Sequence, residues 1–133
     1  MDTNVISEAR KGFKANPGVR KFWQTVGEED VFLSAITIGE LRRGVENLKH
    51  RGDLPQAAAL EAWLLLVCSE YETRILHFDK DCAQVWGKLM SPHNQNALDK
   101  QIAAIALIHD LTVVTRNTDD FRGMGVLLEN PFE

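Results

Sequence analysis

Acidic and amide side chains stand at places where this chain changes direction. Asp2 lies directly behind the first methionine, Glu40 and Asp99 lie early in two amphipathic stretches, and Asn117, Asp119 and Asp120 follow a β-branched run. Singly, each has an ordinary explanation. Asp2 can cap a helix. Thr37 and Glu40 fit the S/T-x-x-E pattern of a capping box. Asp99 in a first turn complements the helix dipole, and Asp119 and Asp120 suit a turn. Together they suggest other chemistry. Carboxylates gathered in one pocket repel each other unless protons or cations offset the charge. Mg²⁺ and Mn²⁺ prefer oxygen ligands, and such ions activate water and stabilise a phosphodiester under attack. The amide of Asn117 and the hydroxyls of Thr3 and Thr115 are suited to orienting ligands or water around such a cluster.

Other chemistries lack their signatures. There is no G-x-x-x-x-G-K-[ST], no G-x-G-x-x-G and no G-x-S-x-G. His50, His77, His93 and His109 are scattered without metal-ligand spacing. Cys68 and Cys82 sit in helical-looking stretches and read as reduced, buried thiols of a cytoplasmic protein. A net charge of −4 argues mildly against broad electrostatic binding to a polyanion. A cation-holding site would still attract phosphate. No apolar run reaches the ~18–20 residues of a membrane span, and no secretory signal is visible.

The elements that must position these side chains follow from periodicity. Val5 to Lys11 and Pro17 to Val26 read as short helices. Val31 to Thr37 is a compact β-like run, followed by a helix carrying Ile38, Leu41, Val45 and Leu48 at helical spacing. Asp53 to Tyr71 is a long helix, Arg74 to Phe78 a strand, and Asp79 a cap for a helix facing inward with Cys82, Val85, Trp86 and Leu89. A helix from Asn96 or Ala97 to His109 places Ala103 and Ala106 beside Asp99, which lets it approach a sheet closely. Leu111 to Thr115 is the clearest strand; Asn117 to Gly125 reads as a loop and Val126 to Leu128 as a last strand. At 133 residues this is one domain, residues 1–133, of the α/β class with a mostly parallel sheet. In such sheets ligands collect beyond the carboxyl ends of the strands.

Five blocks carry a resemblance: "DTNVISE", "SAITIGELRRGVE", "RILHFDKDCAQVWGKL", "LDKQIAAIALIHDLTVVTRNTDDF" and "GVLLENPFE". In this order they resemble a VapC-type PIN-domain protein, close to the FitB-like branch. The resemblance implies a three-layer fold, a parallel central sheet flanked by helices. It implies a Mg²⁺-dependent (or Mn²⁺-dependent) endoribonuclease, the toxin of a toxin–antitoxin pair, with RNA as substrate, a cognate antitoxin as partner and a homodimer as assembly. By resemblance Asp2, Glu40, Asp99 and Asp120 are catalytic. Metal ligands would come from those four and Asn117, with Thr3, Asn4, Thr115, Arg116 and Asp119 supporting. Lys11, Arg42, Arg43 and Arg122 are candidates to hold RNA. The apolar stretch Leu60 to Cys68 would be core or a dimer face.

One departure stands out. Relatives carry an apolar first strand before the first aspartate, whereas here only Met1 precedes Asp2. The expectation is a missing or truncated first strand, a loosely held Asp2 beside a cationic α-amino group, and a weakened fold or activity. The competing reading is a non-catalytic PIN-like module that binds an antitoxin or RNA. A receiver-like signalling domain is disfavoured, because Val31 to Thr37 offers no phospho-accepting aspartate.

Overall fold

The computed structural model describes residues 1–133. Its helices start where local chemistry dictates. The Asp2 carboxylate accepts the Thr3 N–H and opens α1 (Thr3–Ala9). Asn16 accepts from Gly18 and Val19 N–H, with Pro17 as first helical residue, and opens α2 (Pro17–Thr25). After the short strand β1 (Leu33–Ser34), the Ser34 hydroxyl accepts the Thr37 N–H at 3.0 Å and begins α3 (Ala35–His50). Asp53 caps α4 (Leu54–Glu70). Strand β2 (Ile75–Leu76) follows, and Asp79 caps α5 (Lys80–Met90) as expected, accepting the Cys82 N–H at 2.9 Å. Then come α6 (Ala97–His109), β3 (Val113–Val114), α7 (Thr118–Phe121) and β4 (Leu128–Glu129). No helix is long and apolar enough to cross a membrane.

The α/β architecture and the parallel pairing stand as read from the sequence. The extent of the strands does not. The run Val31 to Thr37 is extended only over β1, because Ser34 captures the Thr37 N–H and turns the chain into α3 two residues before Thr37. The capping box expected from Thr37 and Glu40 is therefore absent. Ser34 is the cap, and Glu40 is the sixth residue of α3, not part of its first turn. Residues 118–121 of the expected loop form α7.

The sheet is also divided. β1 pairs with β2 in register Leu33↔Ile75, and β3 pairs with β4 in register Val113↔Leu128, both parallel. Met1 and Asp2 lie between the two pairs. The Met1 amino group donates to the Phe32 carbonyl at 2.9 Å, and the Asp2 N–H donates to the Val114 carbonyl at 2.8 Å. The core is divided to match. One cluster joins Ile6, Leu33, Leu41, Val45, Leu64 and Val67. The other joins Ile102, Ala103, Ala106, Val113, Phe121 and Met124. Residues of both line a cavity of about 320 Å³ between β1 and β3.

Candidate functional site

Asp2 is held far more firmly than a chain terminus promises. It is 5 % exposed. One carboxylate oxygen accepts the Thr3 N–H at 2.8 Å. The other accepts from the Thr115 hydroxyl at 2.8 Å and the Asn4 amide at 3.3 Å. Thr115, fully buried just beyond β3, also receives the Asn117 N–H at 3.0 Å. The Asn4 carbonyl oxygen accepts the Arg116 N–H at 3.1 Å. The start of α1 and the end of β3 are thus laced together by the polar residues singled out in the sequence.

The expected loose Asp2 is overturned by these bonds, and so is the expected cationic neighbour. Burial pushes the Met1 amino group down to about 6, against a smaller opposing pull from Asp2. At neutral pH most of its population is uncharged.

Glu40 joins the cluster from α3, where its carboxylate accepts the Thr3 hydroxyl at 2.8 Å. Asp99 joins from the first turn of α6. Its carboxyl is pushed up to about 6, first by burial and then by the charges of Asp2, Asp120 and Glu40. Asp2, Glu40 and Asp120 thus lie near enough for their charges to act on it. Asp120 adjoins it from α7, whereas Asp119 pairs with Arg122; both are exposed, as is Asn117 at the helix start. First turns of α1, α6 and α7 adjoin the cluster, and their N–H dipoles offset part of its charge.

No three carboxylates are close enough to grip a single ion as they stand. The donor set nevertheless fits a hard divalent cation. It is oxygen-only, two members are pre-oriented by neutral donors, and the raised carboxyl of Asp99 is one whose ionised form a cation would favour.

The basic candidates are differently placed. Arg42 holds Glu61 and lies 3.5 Å from Glu46, turned toward α4. Lys11 pairs with Glu8 at 2.9 Å, and Arg122 with Asp119 at 3.1 Å. Arg43 is exposed. Arg116 packs over the Phe132 ring at 4.9 Å, next to the Asp2 network. Sequence reading missed Phe132 and Asn130. Asn130 donates to the Arg116 carbonyl at 3.3 Å, so the C-terminal segment backs the strand end that carries Thr115. Only the terminal "NPFE" hinted at this, and nothing in its spacing pointed across the fold.

Comparison with known proteins shows the family. The PIN domain family model matches residues 1–127. The chain is 38% identical to toxin FitB of Neisseria gonorrhoeae, covering 99% of this chain and 96% of that protein. It is 33% identical to VapC ribonuclease Y4jK of Sinorhizobium fredii, covering 100% and 96%. The crystal structure of FitAcB from Neisseria gonorrhoeae superposes with a TM-score of 0.86 at 36% identity, covering 99% and 96%.

Proposed function

This chain belongs to the PIN-domain family, and on that premise we propose that it is a metal-dependent endoribonuclease, the toxin of a toxin–antitoxin pair. The observation that carries the reading is the bonding that draws Asp2 and Glu40 together, through Thr115 and Thr3, from sequence-distant segments; Asp99 lies beside them, its carboxyl raised first by burial and then by the charges of Asp2, Asp120 and Glu40. Four carboxylates from sequence-distant segments sharing one space are poorly stable alone, and they are matched to Mg²⁺ or Mn²⁺. The names of the relatives, a toxin and a VapC ribonuclease, support the same reading.

Asp2, Glu40, Asp99 and Asp120 would hold the cation, with Asn117 beside them. When bound, it supplies Lewis acidity that makes water a competent nucleophile and offsets the charge gathering on the phosphate. The protein's own groups do the rest. Thr115, Asn4 and the Thr3 N–H fix the Asp2 carboxylate, so its remaining lone pairs face the cluster. The Thr3 hydroxyl fixes one Glu40 oxygen. A bound cation would favour the ionised form of Asp99, against the burial and neighbouring charges that raise its carboxyl. Arg116, propped by Phe132, would meet a phosphate at the rim. Partners on this reading are RNA, a cognate antitoxin and a second copy of the chain, in a cytoplasmic setting and with residues 1–133 acting as one domain.

A second reading draws on one observation. Because no three carboxylates are within chelating reach as they stand, the chain would bind an antitoxin or RNA without cutting. One experiment separates the two. RNA, including tRNA and ribosomal fragments, is incubated with the protein and Mg²⁺, with and without chelator, beside Asp99→Asn and Glu40→Gln. The nuclease reading expects cleavage that chelator abolishes and that each substitution lowers by at least 100-fold. Cutting that persists in chelator or in either variant rules out the carboxylate–metal mechanism. Binding without cutting by any form favours the second reading.

A further inference from the structure

The chain has a net charge of −4, yet its cations are unevenly spread. Residues 10–21 hold Arg10, Lys11, Lys14, Arg20 and Lys21 and no acidic residue. All five cations are exposed. Lys11 is paired with Glu8, whereas Arg10, Lys14, Arg20 and Lys21 enter no ion pair. In their midst stands Phe13, 91% exposed and the only aromatic among the large apolar side chains left in solvent. Such a ring forgoes the stabilisation that burial would bring. Its exposure does not come from a slack loop. Glu8 accepts the Asn16 N–H and the Lys11 ammonium, both at 2.9 Å, and so ties the two ends of the loop together. Gly12 turns the chain at φ +61°, a left-handed conformation that suits glycine. The Lys14 and Ala15 N–H groups then close on the Lys11 and Gly12 carbonyls, and Ala15 is buried. Phe13 is held out between these fixed points, with the Arg20 guanidinium 5.8 Å from its ring centroid.

We propose that this surface is a platform for single-stranded RNA, with one unpaired base stacked on Phe13 and the flanking phosphates held by Lys14, Arg20 and Lys21. The choice of RNA rests on the nuclease reading above; the rest follows from the patch. Every base has a π-face, so an isolated ring accepts any base that is free of a duplex. Cations without carboxylate partners supply the attraction for phosphate, and the planar guanidinium beside the ring extends the stacking surface. A recess of about 310 Å³ opens beside Phe13, walled in part by Ala9, Ala15, Val19 and Trp23, and gives the base an apolar seat. The exposed leucines that would suit a protein partner, Leu65 and Leu66, lie on α4 instead. The platform also adjoins the carboxylate cluster. Helix α1 starts at that cluster and its seven residues end at Ala9, ~10 Å further on at ~1.5 Å per residue. Glu8 is held below the usual carboxylate range, first by Lys11 and then by the Asn16 N–H, with a weaker pull from Arg116. Arg116 therefore stands between the cluster and the patch, and a strand leaving the cluster past Arg116 reaches Phe13.

The test uses the full chain in chelator, so that binding is read without cleavage. The probes are a labelled oligo(U) of about twelve nucleotides and an RNA duplex of the same length. Phe13→Ala should weaken oligo(U) binding about tenfold and leave duplex binding unchanged, and Phe13→Trp should keep the parent affinity. Lys14→Ala, Arg20→Ala and Lys21→Ala combined should flatten the slope of log affinity against log salt by about two. These side chains are exposed, so the melting temperatures should stay within about 2 °C of the parent. Equal oligo(U) affinity in the parent and Phe13→Ala would overturn the platform, as would an equal loss on the duplex. So would an oligo-glutamate peptide that binds as tightly and with the same dependence on Phe13, which would mark a dock for an acidic protein. Cleavage is scored separately in Mg²⁺. Cutting by a chain whose RNA affinity ignores Phe13 removes the platform alone. Binding that depends on Phe13, by a chain that never cuts, keeps the platform and removes the nuclease reading.

Discussion

At the scale of single residues, the carboxyl of Asp99 reports on the whole cluster. Raised to about 6 by burial and by Asp2, Asp120 and Glu40, it binds its proton more tightly in the folded chain than in the unfolded one, whose value is 3.8. As pH rises from about 4 to 6 the folded state therefore loses stability through this group, and the penalty is complete above 6. Asp99 is about half-buried, so the two-unit shift is discounted for solvent screening to about 1–2 kcal/mol. Metal-free Asp99→Asn is expected to melt a few degrees higher than the parent at pH 7 and at nearly the same temperature at pH 4. Urea unfolding at the two pH values checks this. The Met1 amino group acts in the opposite window. Lowered to about 6 from 8.0, it costs stability below 6, and the cost disappears as pH rises toward 8. Acetylating it should remove that limb of the pH–stability curve.

At the scale of elements, two short-range devices set where the site residues point. Ser34 ends β1 and starts α3, and so fixes the helical register that carries Glu40 to Thr3. Removing the cap with Ser34→Ala should cost about 1 kcal/mol and lower the melting temperature by roughly 3–5 °C. Cleavage should fall with it only if Glu40 shifts. Gly18 serves a different purpose. A Cβ at this position would run into the Pro131 carbonyl, so the start of α2 and the C-terminal segment touch through backbone alone. Gly18→Ala should displace residues 130–133 and loosen Arg116 from Phe132; on the proposed nuclease reading it should raise KM for RNA more than it lowers kcat. Equal KM in the variant would remove Arg116 and its prop from the substrate path.

At the scale of the whole molecule, the surface carries one feature the core does not consume. Helix α4 is apolar all round. Leu64 and Val67 enter the core, while Leu65 and Leu66 remain 59% and 54% exposed. The expected core packing of Leu60 to Cys68 is met at Leu64 and Val67, and the opposite face is an open apolar surface of the kind that favours association. Leu65→Glu with Leu66→Glu should leave the melting temperature within about 2 °C and convert a dimer into a monomer in sedimentation velocity. A parent that is already monomeric at high concentration would refute a dimer through this face.

The amino-acid sequence alone determined what depends on a few neighbouring residues. Alternating short β-branched runs and amphipathic stretches dictated an α/β chain, and a carboxylate two residues before Asn4 dictated a capped α1. Asp2, Asp99 and Asp120 were equally legible, because each sits beside a helix start; Glu40 was not, since Ser34 starts α3 earlier than Thr37 suggested. Only the tertiary structure decided the rest. Asp2 and Thr115 meet across 113 residues, Arg42 spends its charge on Glu61, and the strands stop at two residues around a gap. Such outcomes depend on which distant surfaces compete for the same side chain or backbone group. Periodicity and cap chemistry, being local, carry no information about that competition.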